Sequence, residues 1–527
     1  MNYKKHFKPF GILAFAFVAF STTNLWAQSP PNWQNLDYKT DNIIGVSTAP
    51  AYKLLEGKTS QKIIVAVIDG GTDTIHEDLK SVLWNNPKEI AGNGIDDDNN
   101  GYIDDIHGWN FIGGKSGNVK EDNLEITRVY RYLSAKYKNT DEASATDKKE
   151  YKYYLSVKKD FESRRDEAVG TKNYYEGLLN AMENINNQIG KEDITVEDLE
   201  KISPDGPFDL QALEIMKGVV KGGGTFNDLK PQLEGAINHF SGELAHHLNV
   251  DFDPRNIVGD NYTNSSEKNY GNADVMGYGA DHGTHVAGII AAIRGNNLGI
   301  EGIANNVEIM IVRVVPDGDE RDKDVANGIR YAVDNGAKVI NMSFGKDYSF
   351  DKKAVDDAVK YAESKDVLLV HAAGNSSLNL DKENNFPNKR YEDGGYAKNW
   401  IEVGASTFNY DEKLAAEFSN YGRKNVDVFA PGYLINSTIP DSKYAEFSGT
   451  SMAAPVVAGV AALLRSYFPT LTAPEILEII MKSSTPVKMK VTIPGEEKKK
   501  TKFKKLSKSG GVANVNNAVE LCIKKTK

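Results

Sequence analysis

Three short motifs in this chain place an acid, a base and a hydroxyl where each could serve acyl transfer. The first, Val67-Ile68-Asp69-Gly70-Gly71, sets a carboxylate just beyond a continuous β-branched run. Open parallel sheets gather their chemistry at the carboxyl ends of such strands. The second, His282-Gly283-Thr284-His285-Val286-Ala287-Gly288, opens an apolar, small-residue helix with a histidine. The third, Gly449-Thr450-Ser451-Met452-Ala453-Ala454-Pro455, puts a serine at a helix start, where the positive helix end favours a developing alkoxide or oxyanion. Each has an ordinary structural reading: a turn aspartate, a core histidine, an N-capping serine. Together, in the chain order Asp, His, Ser, they form one of the three known orders of a catalytic triad. Their coincidence outweighs the separate readings.

A second group of residues suggests a cation. Between Asn93 and Asp105 the chain crowds oxygen ligands, with Asp96, Asp98 and Asn100 at alternate positions before Gly101. That spacing is like the start of an EF-hand loop, in which Tyr102 would give a backbone carbonyl and Asp104 a carboxylate. His107 stands where the loop's terminal Glu would be, so a true EF-hand is excluded. Crowded carboxylates repel one another without a cation. The expectation is therefore a structural Ca2+ held by Asp96, Asp98, Asn100, Tyr102 and Asp104, against the alternative of a solvated acidic loop.

The elements that must position these groups alternate along the chain. Short buried-strand runs occur at Ile63–Ile68, Ile309–Val315, Lys338–Met342, Val367–Ala372 and Trp400–Val403. Helical patterns lie between or after them at His282–Ile293, Asp322–Asn335, Lys352–Lys365 and Ser451–Phe468. This alternation predicts an α/β fold: a doubly wound, mostly parallel sheet with helices on both faces. Residues 115–250 break the pattern. They are rich in Lys, Glu, Asp, Asn and Tyr, with Leu178, Met182, Ile185 and Ile189 at helical spacing, and read as a helical insertion. The expected division is a signal peptide at 1–27, a leader and the start of the core at 28–61, core at 62–114, the insertion at 115–250 and core again at 251–527. The lysine-rich stretch from Lys488 to Lys508 reads as a solvated loop, followed by a last helix over Val512–Cys522.

Composition narrows the remaining classes. The chain has 527 residues, 63 Lys plus Arg against 73 Asp plus Glu, and a net charge of -10, which argues against a nucleic-acid or anionic-membrane binder. Its single cysteine, Cys522, excludes an intramolecular disulfide framework and a four-cysteine zinc site. Lys4, Lys5 and Lys8 precede an apolar run from Phe10 to Phe20, and Leu25-Trp26-Ala27 follows. The run falls short of the ~20 residues needed to span a bilayer, and reads as a secretory signal. The expected address is the periplasm or the exterior, with no membrane span.

With its three blocks intact, the chain resembles the subtilisin-like serine peptidases, the subtilases. The resemblance implies polypeptide substrates, with Ser451 as nucleophile, His282 as general base and Asp69 as the group orienting the imidazole. It carries Asn375, in Ala372-Ala373-Gly374-Asn375, over as the oxyanion donor beside the Ser451 backbone N–H. Ser343, Phe344 and Gly345, in Asn341-Met342-Ser343-Phe344-Gly345, match the segment that pairs with an extended substrate. Asn384-Asn385-Phe386-Pro387 falls where the family builds part of the pocket for the residue before the cut, and Asp78 resembles a calcium ligand facing the loop of Asn296, Asn297 and Gly299. No cofactor is implied for the chemistry. Alternatives in the same fold are a peptide ligase or cyclase and a dormant binding module, although dormant members usually lack a triad residue. The segment Ile44–Leu55 resembles the start of the mature enzyme. What remains, Gln28–Asp41, is too short to bury a core, so no separately folding prodomain is expected, and at most a trimmed leader.

Overall fold

The computed structural model describes residues 29–142 and 144–525; the expected signal peptide lies outside them. The described chain divides into two compact units, one over residues 136–249 and one over residues 29–135 and 250–525.

The larger unit is built on a sheet. Among the described residues, nine strands join in it: β1 (Ile63–Asp69), β2 (Gly108–Asn110), β3 (Val307–Arg313), β4 (Val339–Met342), β5 (Leu368–Ala372), β6 (Trp400–Ser406), β7 (Val428–Pro431), β8 (Thr485–Pro486) and β9 (Gly511–Val512). Their spatial order is β8-β9-β7-β6-β5-β4-β1-β3-β2. All pairings are parallel except β8 with β9. The expected α/β class holds.

Strand β1 runs between β3 and β4, with Val65 opposite Ile309 on one side and Val339 on the other. Its side chains alternate between two cores, as the period of two requires. Val65 and Val67 join the cluster of α1 (Ala280–Ala291) and α4 (Thr450–Tyr467). Ala66 and Ile68 join that of α2 (Asp322–Asp334) and α3 (Lys352–Ser364). A strand buried on both faces has no polar face to show, which explains its unbroken apolar run. The core also reaches further upstream than Ile44, because Trp33 is buried in the first cluster and its indole N–H donates to the Tyr433 carbonyl at 3.2 Å.

The lysine-rich stretch is not a loop. Lys490–Ile493 and Glu496–Lys502 pair as an antiparallel hairpin. Val491 and Phe503 anchor it in a small apolar cluster while most of its lysines face outward. Charge density hid those two anchors. The last helix runs over Val515–Lys525 and buries Cys522.

The second unit is helical. A 42-residue helix, Lys148–Ile189, packs with Pro207–Lys221 and Phe226–Gly242. Leu178, Met182 and Ile185 form its core with Leu199, Leu213, Met216 and Leu233. The unit starts later than the change in composition at 115. Residues 115–135 belong to the sheet unit, where Glu125 and Arg128 are buried in its polar interior.

Candidate active site

Asp69 closes β1 at its carboxyl end, where the chain leaves the sheet. Its Oδ1 accepts a hydrogen bond from its neighbour's backbone, Gly70 N–H, at 2.8 Å, and lies 2.8 Å from His282 Nδ1. The donor there is the imidazole Nδ1–H, since a carboxylate only accepts. This contact joins residues 213 positions apart. It depends on how closely α1 approaches the strand end: a Cβ on Gly283 would stand 2.1 Å from the Gly71 carbonyl oxygen. The buried Arg313 fastens both sides, donating from Nε to the Gly70 carbonyl at 2.8 Å and from Nη2 to that of Tyr278 at 3.2 Å. Partial burial pushes the His282 pKa down, but the Asp69 charge and its hydrogen bond outweigh that and raise it above the ordinary imidazole value. His285, in the same motif, is different: burial lowers it to about 3, and its Nε2 meets the Ala445 carbonyl at 3.0 Å. It is a neutral core histidine.

Ser451 lies in the first turn of α4. Its hydroxyl donates to the Ser343 carbonyl at 3.0 Å, and the Ser343 hydroxyl donates back to the Ser451 carbonyl at 2.9 Å. Asn341 Nδ2 donates to Ser343 Oγ at 2.9 Å. The segment after β4 and the start of α4 are thus tied together at Ser451.

Asn375 follows β5 after Gly374, whose φ of +99° belongs to glycine. The Asn375 Oδ1 accepts from both the backbone N–H and the hydroxyl of Thr450, each at 2.9 Å. With the oxygen held there, the amide NH2 points the other way, so the flip of this side chain is set. The Thr450 hydroxyl also accepts from Gly374 N–H at 3.0 Å. Below the turn, Asn420 Nδ2 donates to the Ala373 carbonyl at 2.8 Å while its Oδ1 accepts from Ser376 and Leu378 N–H. A cavity of about 250 Å3 opens beside these groups, with Asn375, Thr450 and Ser451 on one side, Phe344 and Gly345 along it, and Asp319 and Glu320 among its lining. Asn385 Nδ2 reaches the Ala373 carbonyl at 3.2 Å, so the Asn384–Pro387 segment abuts the same turn.

In the acidic loop the carboxylates of Asp96 and Asp98 converge with Glu89, their oxygens all within 4.8 Å of one another. Glu89 also accepts backbone N–H groups from Asp97, Asp98 and Asp104. Asp104 turns its carboxylate to the N–H groups of Asn93 and Gly94, at 3.1 and 2.9 Å, and Asn100 Oδ1 accepts from Tyr102 N–H at 2.8 Å. Asp78 Oδ1 accepts from Asn296 Nδ2 at 2.7 Å and from Ile293 N–H at 3.1 Å. The loop after α1 therefore does face Asp78.

Sequence reasoning had no role for Thr450, Asn420 or Glu89. Thr450 stood inside a quoted motif, but its partner Asn375 is remote in the chain. Glu89 lies upstream of the alternating donors, and only the folding-back of the loop brings it to them.

A carboxylate-held imidazole at the end of a parallel strand, and a serine at a helix start beside an oriented asparagine, fit the subtilisin-like class of α/β protein. The chain belongs to the subtilase family, whose pattern (Peptidase_S8) matches residues 60–516. It is similar to thermitase of Thermoactinomyces vulgaris, 47% identical over 36% of this chain and 62% of the relative. A thermophilic serine proteinase of a Bacillus species (strain AK1) is 46% identical over 35% of the chain and 43% of the relative. An intracellular serine protease of Paenibacillus polymyxa is 36% identical over 45% and 70%. The chain spans less than two thirds of the length of the first two. Proteases from Pseudoalteromonas arctica supply a solved structure that aligns with 94% of this chain and 99% of its own, at 21% identity and a TM-score of 0.48.

Proposed function

We propose that this chain is an exported serine endopeptidase that hydrolyses polypeptides. The observation that carries the reading is the 2.8 Å contact of Asp69 Oδ1 with His282 Nδ1. It fixes the tautomer that leaves Nε2 as the base. In catalysis the Ser451 proton, held by the Ser343 carbonyl in the free site, is redirected to His282 Nε2 as Oγ attacks the scissile carbonyl. The oxyanion that forms is held by the Asn375 amide and the Ser451 backbone N–H. The C–N bond then breaks, and the proton on Nε2 leaves with the amine. Water deacylates the ester by the same exchange in reverse order. Asp69 holds and stabilises the imidazolium throughout. The backbone of Ser343–Gly345 pairs with the extended substrate, so recognition there is tolerant of side chains.

A calcium ion fits the acidic loop, where Glu89, Asp96 and Asp98 would hold it with hard oxygen donors. When bound it would neutralise their mutual repulsion and tie the loop down; the peptide chemistry needs no metal. Export rests on the N-terminal Lys4, Lys5, Lys8 and the apolar run that follows. No helix among the described residues is long and apolar enough to cross a membrane.

The test is covalent labelling. A fluorophosphonate probe should label the wild type, and Ser451→Ala should lose the label together with hydrolysis of a denatured protein substrate while melting normally. Undiminished labelling of that variant would sink the assignment.

A further inference from the structure

Beneath the cleft, between Asp319-Glu320 and Lys346, lies a buried polar network in which acids outnumber cations. Lys346 is fully buried and spends its three donors on Glu125 Oε1 at 3.0 Å, Asp322 Oδ1 at 2.7 Å and the Glu320 backbone carbonyl at 2.7 Å. Arg128 is bound to Glu125 and to the backbone carbonyls of Asn123, Asp319 and Glu320. Arg321 is held by Asp122 at 2.7 Å. Both cations beside Glu320 therefore touch its backbone, and neither ion-pairs with its carboxylate.

Glu320 is 2% exposed, it lines the cavity beside Ser451, and its Oε1 is buried with no hydrogen-bond partner. Its neighbour Asp319 also lines the cavity and is engaged by the Glu125 backbone N–H at 2.7 Å. Among the described residues no cationic side chain forms an ion pair with either. An unpaired buried carboxylate is costly unless it is protonated or meets a cation. Burial accordingly pushes the pKa of both acids up. Lys346 and Arg128 offset part of this charge from below without touching either carboxylate, and the direct contact is left for an incoming positive group.

The side of the scissile bond follows from the geometry. The cavity is bounded by the oxyanion-side groups Asn375 and Ser451 and is not lined by His282, which must stand beside the leaving nitrogen. Resting on the peptidase reading above, we propose that Glu320, with Asp319 beside it, selects substrates carrying a lysine or arginine side chain on the acyl side of the cut. The ammonium or guanidinium supplies the counter-ion that the protein withholds, and Glu320 ionises against it.

The experiment compares fluorogenic peptides that carry lysine, arginine or the uncharged norleucine at each position preceding the bond. Wild type should favour the cationic peptide over norleucine by about tenfold or more in kcat/KM at one such position. Glu320→Gln should collapse that ratio towards unity. The comparison within the wild type needs no mutant to fold, and a melt of Glu320→Gln checks the variant. Equal or better cleavage of norleucine at every acyl-side position by the wild type would overturn the proposal, as would a cationic preference that survives Glu320→Gln. Fluorophosphonate labelling separates the two levels: labelling with cleavage of neutral peptides alone removes only this subsite. Absent labelling with no peptide cleaved removes the peptidase reading and the subsite with it.

Discussion

On the proposed reading, Thr450→Val separates the immediate neighbourhood of Ser451 from the contacts that aim the proposed oxyanion donor, Asn375. Valine keeps the shape but puts a methyl in place of the hydroxyl that donates to Asn375 Oδ1 at 2.9 Å and accepts from Gly374 N–H at 3.0 Å. Asn375 retains the second bond to its oxygen, from Thr450 N–H, so it is loosened rather than released. Losing one ordinary hydrogen bond, about 1 kcal/mol of orientation preference, predicts a fall in kcat of roughly fivefold to tenfold. That is well short of the hundred- to thousandfold that deleting an oxyanion donor typically costs. The unpaired Gly374 N–H adds about 1–3 kcal/mol of destabilisation. The assay is steady-state hydrolysis of a saturating peptide, with active sites titrated, in the single variants Thr450→Val and Asn375→Ala and in the double variant. If Thr450 works as a positioning residue through Asn375, its effect on kcat should vanish in the Asn375→Ala background. Equal effects in both backgrounds, or a rise in KM with kcat untouched, would refute the reasoning.

Asp69→Asn should lower kcat by about four orders of magnitude, because the imidazole would no longer be held in the useful tautomer. The sign of the pH effect follows from the raised His282 pKa: the base must be neutral, so the acid limb of kcat/KM should lie above the ordinary value of 6.5 in the wild type. It should move downward in Asp69→Asn, and a limb that stays in place would remove Asp69 from that role. For the acidic loop, a chelator should lower the melting temperature by roughly 5–10 °C if calcium was present at a hundredfold its Kd. Glu89→Gln should blunt that response more than Asp104→Asn, since Asp104 already serves the Asn93 and Gly94 N–H groups; a melt indifferent to the chelator would remove the site.

What could be read in the chain was what repeats locally. The apolar run before Asp69 marks β1 because a strand buried on both faces has no polar alternation to confuse it. The motifs around Asp69, His282 and Ser451 are short enough to point to the subtilase family out of context. Strands such as Gly108–Asn110, Thr485–Pro486 and Gly511–Val512 show no period at all, being two or three residues long. The hairpin after Lys488 was obscured for the opposite reason, since lysines alternate around the few residues that pack. Thr450 and Asn420 were invisible as participants because each acts through partners far along the chain, and Glu320 because only the fold buries it beside the cavity. Their types, two polar neutral residues and an acid in an acidic segment, carry no signal by themselves.

The order of elements in the sheet has a consequence for how the protein comes into being. Strand β1 is laid down early, yet its two neighbours are β3 and β4; the Arg313 bond to the Gly70 carbonyl closes 243 positions of chain. At synthesis rates of 5–20 residues per second, β1 waits roughly 10–50 s for the first strand it can pair with. Its run of β-branched residues is exposed meanwhile to other unpaired edges. Ser451 follows later still, 108 positions after Ser343, whose carbonyl its hydroxyl meets. On the proposed reading, the nascent chain holds its acid and base without the serine from residue 282 to residue 451, and hydrolytic competence would arrive only after Ser451 has been made.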